Sequence, residues 1–336
     1  MLLALKENIK LNEVAAFIKR LEWMGLRAVH TEENGRYIVA IVNGIDEFTD
    51  LKQFSVFPEV DKVLPFSQKV KLAGRDFKKN RTVISFGKVE VGNGNLAIMA
   101  GPCSIESEEQ IHQTAALVAA AGANFLRGGA FKPRTSPYDF QGLGETGLRF
   151  MQSAARENNL LSISEVMDTA EIDLVAKYVD VLQVGARNMQ NYSLLKQLGK
   201  VGKPILLKRG LSATYMDLLF AAEYILQAGN PNVMLCERGI RTFESYTRNT
   251  LDIAAVPVLH ELTHLPVIID PSHGTGIRSL VAPMGCAAVA AGADGVIVEV
   301  HPHPDKSLSD ANQTISPEAF AKMVKSMRAI ESIVKV

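Results

Sequence analysis

Apolar positions along this chain fall into two kinds of pattern, and the change between them comes near residue 81. Before it, Leu2–Leu5 is an apolar run of strand length. Val14, Phe17, Ile18 and Leu21 stand at i, i+3, i+4 and i+7, the spacing of one helix face, and predict a helix over Asn12–Met24. Arg27–Thr31 and Arg36–Val42 are strand-like, with Glu33-Asn34-Gly35 as the turn between them. A second helix near Asp46–Phe54 and a strand at Val60–Leu64 complete a βαββαβ order, which fits a ferredoxin-like plait. The more polar and basic stretch Phe66–Asn80 reads as a linker. The expected organisation is a small domain at 1–65, a linker at 66–80 and a larger unit at 81–336.

The larger unit opens with a short hairpin, Val83–Phe86 and Val89–Val91. Apolar strands then alternate with amphipathic stretches. The strands are Leu96–Ala100, Asn124–Leu126, Leu161–Ser164, Val181–Val184, Ile205–Leu207, Val233–Cys236, Val267–Ile269 and Gly295–Val300. Helices are expected between them, for instance at Glu108–Ala121, Tyr215–Ala228 and Ser279–Ala291, with a last one over Pro317–Ile333. Eight such alternations over about 250 residues predict an α/β protein with a (β/α)8 TIM barrel. A doubly wound sheet is disfavoured because no Gly-x-Gly-x-x-Gly turn follows the first strand.

Composition narrows the function. The 336 residues carry 36 Lys+Arg and 36 Asp+Glu, so no global basic field exists to hold nucleic acid. No apolar run reaches transmembrane length, and the N-terminus lacks the pattern of a signal peptide, so no membrane role is expected. Cys103, Cys236 and Cys286 are odd in number and far apart, which excludes a disulfide framework and points to a reducing cytoplasm.

Barrel enzymes build their sites at the C-terminal ends of the strands. Nearly every predicted strand here ends in a charged or metal-competent residue. One subset is cationic: Arg127, Lys132, Arg134, Arg187, Lys208 and Arg238. Six converging cations repel unless anions meet them, and their forks suit phosphate and carboxylate oxygens. Pairing with a nearby carboxylate such as Glu165, Glu237 or Asp270 is the plainer reading, but the excess of cations favours a phosphorylated, carboxylated ligand. A second subset is metal-competent: Cys103, His273, Glu299, and an acid after the last strand, Asp305 or Asp310. Such a mixed S/N/O set suits Mn, Fe, Co or Zn better than Ca or Mg.

Several segments together resemble 3-deoxy-D-arabino-heptulosonate 7-phosphate (DAHP) synthases. They are Gly101-Pro102-Cys103-Ser104, the run from Arg127 to Ser136 (RGGAFKPRTS), Gly185-Ala186-Arg187-Asn188, Leu207-Lys208-Arg209-Gly210, Cys236-Glu237-Arg238-Gly239, Asp270-Pro271-Ser272-His273 and Leu308-Ser309-Asp310. The resemblance covers residues 80–336, and the leading βαββαβ unit looks like the regulatory domain of one branch. It implies condensation of phosphoenolpyruvate with erythrose 4-phosphate at the head of the shikimate pathway. It also implies one divalent metal ion on Cys103, His273, Glu299 and Asp310, and catalytic roles for Lys132, His273 and Cys103. Arg127, Lys132, Gly185, Ala186, Arg187, Lys208 and Arg238 would hold phosphoenolpyruvate, and Pro133, Arg134, Thr135 and Ser136 the sugar phosphate. Feedback control by an aromatic amino acid, with His30 as a candidate contact, and a homotetramer are further implications. The sister enzyme, KDO 8-phosphate synthase, shares the barrel but carries a different segment where this chain has Lys132-Pro133-Arg134-Thr135-Ser136.

Overall fold

The computed structural model describes residues 1–44, 50–92, 94–132, 136, 138 and 140–334. These residues form two compact units. The first comprises residues 1–81 together with residues 261–264. It contains β1 (Leu2–Leu5), α1 (Leu11–Trp23), β2 (Arg27–Glu33), β3 (Arg36–Asn43) and β4 (Val60–Leu64). The antiparallel sheet runs β2-β3-β1-β4, the order of a ferredoxin-like plait. Asn34 and Gly35 both take positive φ, 52° and 77°, so the β2–β3 connection is a two-residue turn whose twist matches the strands. The apolar face of α1 packs Val14, Phe17 and Leu21 onto Leu3, Leu5, Val39 and Ile41.

The second helix expected near Asp46–Phe54 is corrected: the described part is a 3-10 turn at Leu51–Val56, and residues 46–49 lie outside the described residues. Asp50 caps this turn by accepting from Lys52 N. Pro58 then drives Phe57 to an extended conformation, which ends the turn on its C-terminal side. Residues 66–81 are counted with this unit, and Val70, Leu72 and Ala73 are buried in it. His264 Nε2 donates to Leu72 O at 2.8 Å. Burial, which disfavours the imidazolium, lowers its pKa from 6.5 to about 4.

The second unit begins with the hairpin β5 (Ile84–Phe86) and β6 (Val89–Val91). Eight parallel strands follow and close into a barrel: β7 (Ala97–Gly101), β8 (Phe125–Arg127), β9 (Leu161–Glu165), β10 (Val181–Val184), β11 (Ile205–Lys208), β12 (Val233–Glu237), β13 (Val267–Ile269) and β14 (Gly295–Glu299). First and last strands meet, with Glu299 opposite Gly101. The intervening helices are α2 (Glu108–Ala120), α3 (Gly144–Glu157), α4 (Ile172–Tyr178), α5 (Tyr192–Leu198), α6 (Tyr215–Gln227), α7 (Ala255–Leu262), α8 (Pro271–Thr275) and α9 (Arg278–Ala290), and α10 (Pro317–Val334) ends the chain's regular structure. The interior is apolar at the N-terminal end, where Met99, Phe125, Leu206, Met234 and Ile297 cluster with Ile84 and Val91 of the hairpin. Phe86 packs edge-on against Phe125 with centroids 5.2 Å apart, so the hairpin closes the barrel floor. Among the described residues, no helix is long and apolar enough to cross a membrane.

Candidate active site

The opposite end of the barrel is built from backbone pairing between loops. After β7 and β8, Gly129 N donates to Cys103 O (3.2 Å) and Ile105 N donates to Gly129 O (3.0 Å). This zip sets Lys132 Nζ 3.0 Å from both Cys103 Sγ and Cys103 O. A Cβ at position 129 would stand 2.8 Å from Lys132 Cδ and 3.0 Å from Cys103 O, so a side chain there would shift the lysine. After β14 the chain folds back beside the strand end: Ile315 N donates to Glu299 O (3.0 Å) and His301 N to Ile315 O (3.2 Å). Asp310 thereby reaches the loop after β7, with Oδ2 3.2 Å from Cys103 Sγ. One ligand atom each from Cys103, Glu299 and Asp310 lies within 4.8 Å of the others. Asp305 instead turns outward and pairs with Arg278 at 2.7 Å.

His273 sits on α8, a short helix where the sequence reads as a loop. Asp270 caps it by accepting from His273 N (2.9 Å), and Pro271 occupies its first turn. Asp270 Oδ2 also accepts from His273 Nδ1 (2.7 Å) and Lys208 Nζ (2.6 Å). This orients the ring, with Nε2 facing Glu299 Oε1 at 3.4 Å. His273 thus touches the cluster through Glu299 but stands outside the tight group of three.

Electrostatics follow from burial and pairing. Glu299 Oε1 accepts from Arg127 Nη1 at 2.7 Å, with both side chains buried. Burial alone would raise the Glu299 carboxyl, but the charges of His273, Arg127 and Lys132 hold it well below the usual range. Asp270 behaves alike: its burial is outweighed by His273 and Lys208. Burial, then the Glu299 carboxylate, push the Cys103 thiol up to about 12. A divalent cation is the species that displaces such a proton, and a thiolate, two carboxylates and a nearby imidazole are donors that fit one.

The cluster borders a cavity of about 190 Å³ lined by Arg127, Lys132, Arg187, Lys208 and Arg238, with Glu165 on its wall. Gly185 and Ala186 also line it, and a Cβ at Gly185 would strike Glu165 Oε1 at 2.1 Å. The plainer reading of the cations holds for two of them, since Arg127 pairs with Glu299 and Lys208 with Asp270. Among the described residues, Arg187 and Arg238 pair with no carboxylate, and the buried Arg127 Nε has no partner. Arg238 is buried, and that burial lowers its pKa. Pro133, Arg134 and Thr135 lie outside the described residues, while Ser136 Oγ accepts from Tyr138 N at 3.3 Å. Arg209, next to Lys208, points elsewhere and clamps Glu237 (2.7 Å) and Asp252 (3.0 Å).

Two residues at this end escape a reading confined to strand ends: Arg248 and Gln313, which reach the acids from loops. Asp270, read there as a partner for the cations, also orients His273. A larger cavity of about 620 Å³ lies in the first unit, with Leu2, Ala4, Ile38, Leu64 and Phe77 among its lining. It has fewer converging charges than the barrel end and does not include His30, which is exposed on β2 against the ring of Tyr37.

Residues 71–335 match the DAHP synthetase I family. The chain belongs to that family. It is 43% identical to phospho-2-dehydro-3-deoxyheptonate aldolase of Thermotoga maritima over 98% of this chain and 97% of the relative. A crystal structure of the Thermotoga maritima DAHP synthase superposes with a TM-score of 0.80, at 42% identity, covering 100% of this chain and 98% of that one. A truncated form of the same synthase matches 79% of this chain with a TM-score of 0.75. A 2-dehydro-3-deoxyphosphooctonate aldolase of Syntrophotalea carbinolica is 32% identical over 75% of this chain and 95% of its own length. The DAHP synthetase match thus spans the barrel and every residue of the charged end.

Proposed function

We propose that this chain condenses phosphoenolpyruvate with erythrose 4-phosphate to give DAHP and inorganic phosphate, using one divalent ion, Mn, Fe, Co or Zn. The observation that carries the reading is the meeting of a cation-lined cavity with the Cys103, Glu299 and Asp310 cluster. Cys103, His273, Glu299 and Asp310 would hold the ion. When bound, it supplies Lewis-acid polarisation of the aldehyde oxygen.

The protein's own groups do the rest. Arg127, Lys132, Arg187, Lys208 and Arg238, with the backbone at Gly185 and Ala186, grip the carboxylate and phosphate of phosphoenolpyruvate. Arg127 offers its Nε, which has no partner among the described residues, and Arg238 brings a buried guanidinium that makes no ion pair among them. Pro133, Arg134, Thr135 and Ser136 hold the phosphate of erythrose 4-phosphate. C3 of the enol is a weak nucleophile, so holding it close to the aldehyde carbon lowers the barrier substantially. The same cations stabilise charge on the departing phosphate. Lys132 and Glu165, the latter a cavity-wall side chain held by Gln183 Nε2 at 3.0 Å, are the two candidates to activate the water that adds at the enol carbon.

The test is turnover with four- and five-carbon aldose phosphates before and after chelation. Erythrose 4-phosphate is the expected substrate, EDTA abolishes turnover, and Mn, Co or Fe restores it. Full activity in a demonstrably metal-free sample overturns the metal assignment. Preference for arabinose 5-phosphate moves the chain to the reaction of its phosphooctonate relatives. Control by an aromatic amino acid acting on the first unit, with His30 as a contact, in a cytoplasmic homotetramer, completes the reading. A chain starting at Thr82 then keeps catalysis and loses inhibition by tyrosine or phenylalanine. Light scattering checks the tetramer.

A further inference from the structure

Glu299 and Asp310 are joined by a second set of hydrogen bonds behind the cluster. Gln313 Nε2 donates to Glu299 Oε2 at 2.6 Å, and Gln313 Oε1 accepts from Arg248 Nη1 at 3.0 Å. The same Nη1 donates to Asp310 Oδ1 at 3.1 Å. The other oxygen of each acid faces inward: Glu299 Oε1 toward Arg127 and His273, Asp310 Oδ2 toward Cys103. Asp310 is therefore gripped from behind through Oδ1 with Oδ2 turned to Cys103, while Glu299 is held through Oε2 by Gln313 and through Oε1 by Arg127.

The relay has few ways to rearrange. Gln313 is 2% exposed, and its amide can serve both neighbours only with nitrogen toward the carboxylate and oxygen toward the guanidinium. Arg248 arrives from the loop after β12, where its N donates to Thr275 O at 2.9 Å. Its side chain runs across Gly276, where a Cβ would come within 2.5 Å of Arg248 Cβ. Asp310 holds a left-handed φ of 52°, unusual outside glycine, while its carbonyl accepts from Gln313 N (3.2 Å) and Thr314 Oγ1 (3.0 Å).

We propose that Arg248 and Gln313 are positioning residues that set the spacing and the orientation of the Glu299 and Asp310 carboxylates for the divalent ion. The inference rests on the metal reading above. Outer partners of this kind typically change metal affinity or activity by ten- to a hundredfold. Arg248 also lines the cavity, so a direct contact with substrate phosphate is the competing role.

The experiment measures Mn²⁺ dissociation constants by chelator competition, and the cysteine-to-cobalt charge-transfer absorption of the Co²⁺ form, in the full chain. The variants are Arg248→Ala, Arg248→Lys, Gln313→Leu and the double Arg248→Ala/Gln313→Leu. Each removal is expected to raise the Mn²⁺ dissociation constant roughly ten- to a hundredfold and to shift the cobalt band. Arg248→Lys recovers part of the loss. The double variant falls short of the product of the singles, because both act through one relay. Unchanged constants and spectra in both single variants overturn the proposal. So does Arg248→Ala raising the KM for the sugar phosphate with metal affinity intact, which would make it a substrate contact. If the unmodified chain binds neither Mn²⁺ nor Co²⁺, the metal reading itself has failed. Should Gln313→Leu misfold, Arg248→Ala carries the test alone, since the Arg248 side chain is 43% exposed.

Discussion

The two ends of the barrel are made from the same eight strands and obey opposite rules. At the floor, Phe125, Met234 and Ile297 pack against a hairpin, and nothing polar is needed. At the mouth, β8, β11, β12 and β14 each finish on a buried charge: Arg127, Lys208, Glu237 and Glu299. Removing such groups from water costs several kcal/mol apiece unless each finds a partner. Each does, in Glu299, Asp270, Arg209 and Arg127 respectively. The floor therefore supplies stability, while the mouth uses paired burial to hold charges in fixed places for an anionic ligand.

The comparison is broken most severely at Asp270. Asp270→Ala strands both Lys208 and His273, so stability should fall by about 3–5 kcal/mol in denaturant titration. Because His273 loses its orienting partner, kcat should also fall, by roughly a hundredfold. Phe125→Ala at the floor should cost a similar 3–5 kcal/mol but leave the kcat of the folded fraction within about twofold. Equal damage to kcat from both variants would mean the two ends are not functionally separate.

A third change lies outside both ends. His264 has a folded pKa of about 4 against 6.5 for the free side chain, so the folded state favours the neutral form. Its contribution is fully present above pH 6.5 and is lost as pH falls from 6.5 toward 4, where the unfolded chain binds the extra proton. The loss is on the order of 3 kcal/mol. His264→Gln should remove that share of the acid sensitivity, read as the wild-type-minus-variant difference in unfolding midpoints at pH 7 and pH 4.5. The smallest effect on folding is expected at Arg187, exposed at the mouth and paired with no carboxylate among the described residues. Arg187→Ala should leave Tm unchanged while the KM for phosphoenolpyruvate rises by a charge-assisted contact, about 1.5–3 kcal/mol, ten- to over a hundredfold. A matching rise for erythrose 4-phosphate would show that this cation serves both substrates.

Much of this was legible in the sequence, for physical reasons. Strands of a closed parallel barrel are buried on both faces, so they read as apolar runs, and the predicted Leu96–Ala100 corresponds to Ala97–Gly101. The rule that sites gather at strand ends found the mouth because its charges interrupt those runs. Features too short for periodicity were harder to see. Helix α8 has only 5 residues, although Asp270 at its cap and Pro271 behind it are start signals. The turn at Leu51–Val56 overlaps the helix expected near Asp46–Phe54 but is 3-10 in its described part, and Pro58 just beyond it is the stop signal. Arg248 and Gln313 were invisible for another reason: a loop side chain that bonds across the fold leaves no spacing to read.

Ring closure also has a consequence for how this chain is made. The bond between Cys103 and Asp310 joins positions 207 apart, and that between Arg127 and Glu299 joins positions 172 apart. Synthesis at about 5–20 residues per second lets the first strands emerge many seconds before the last. Through that interval Cys103 lacks Asp310 and Arg127 lacks Glu299, and no partial barrel holds the assembled cluster. Capacity to bind at the cluster therefore appears in one step, when β14 docks beside β7, and reports completion of the ring more directly than helix content does.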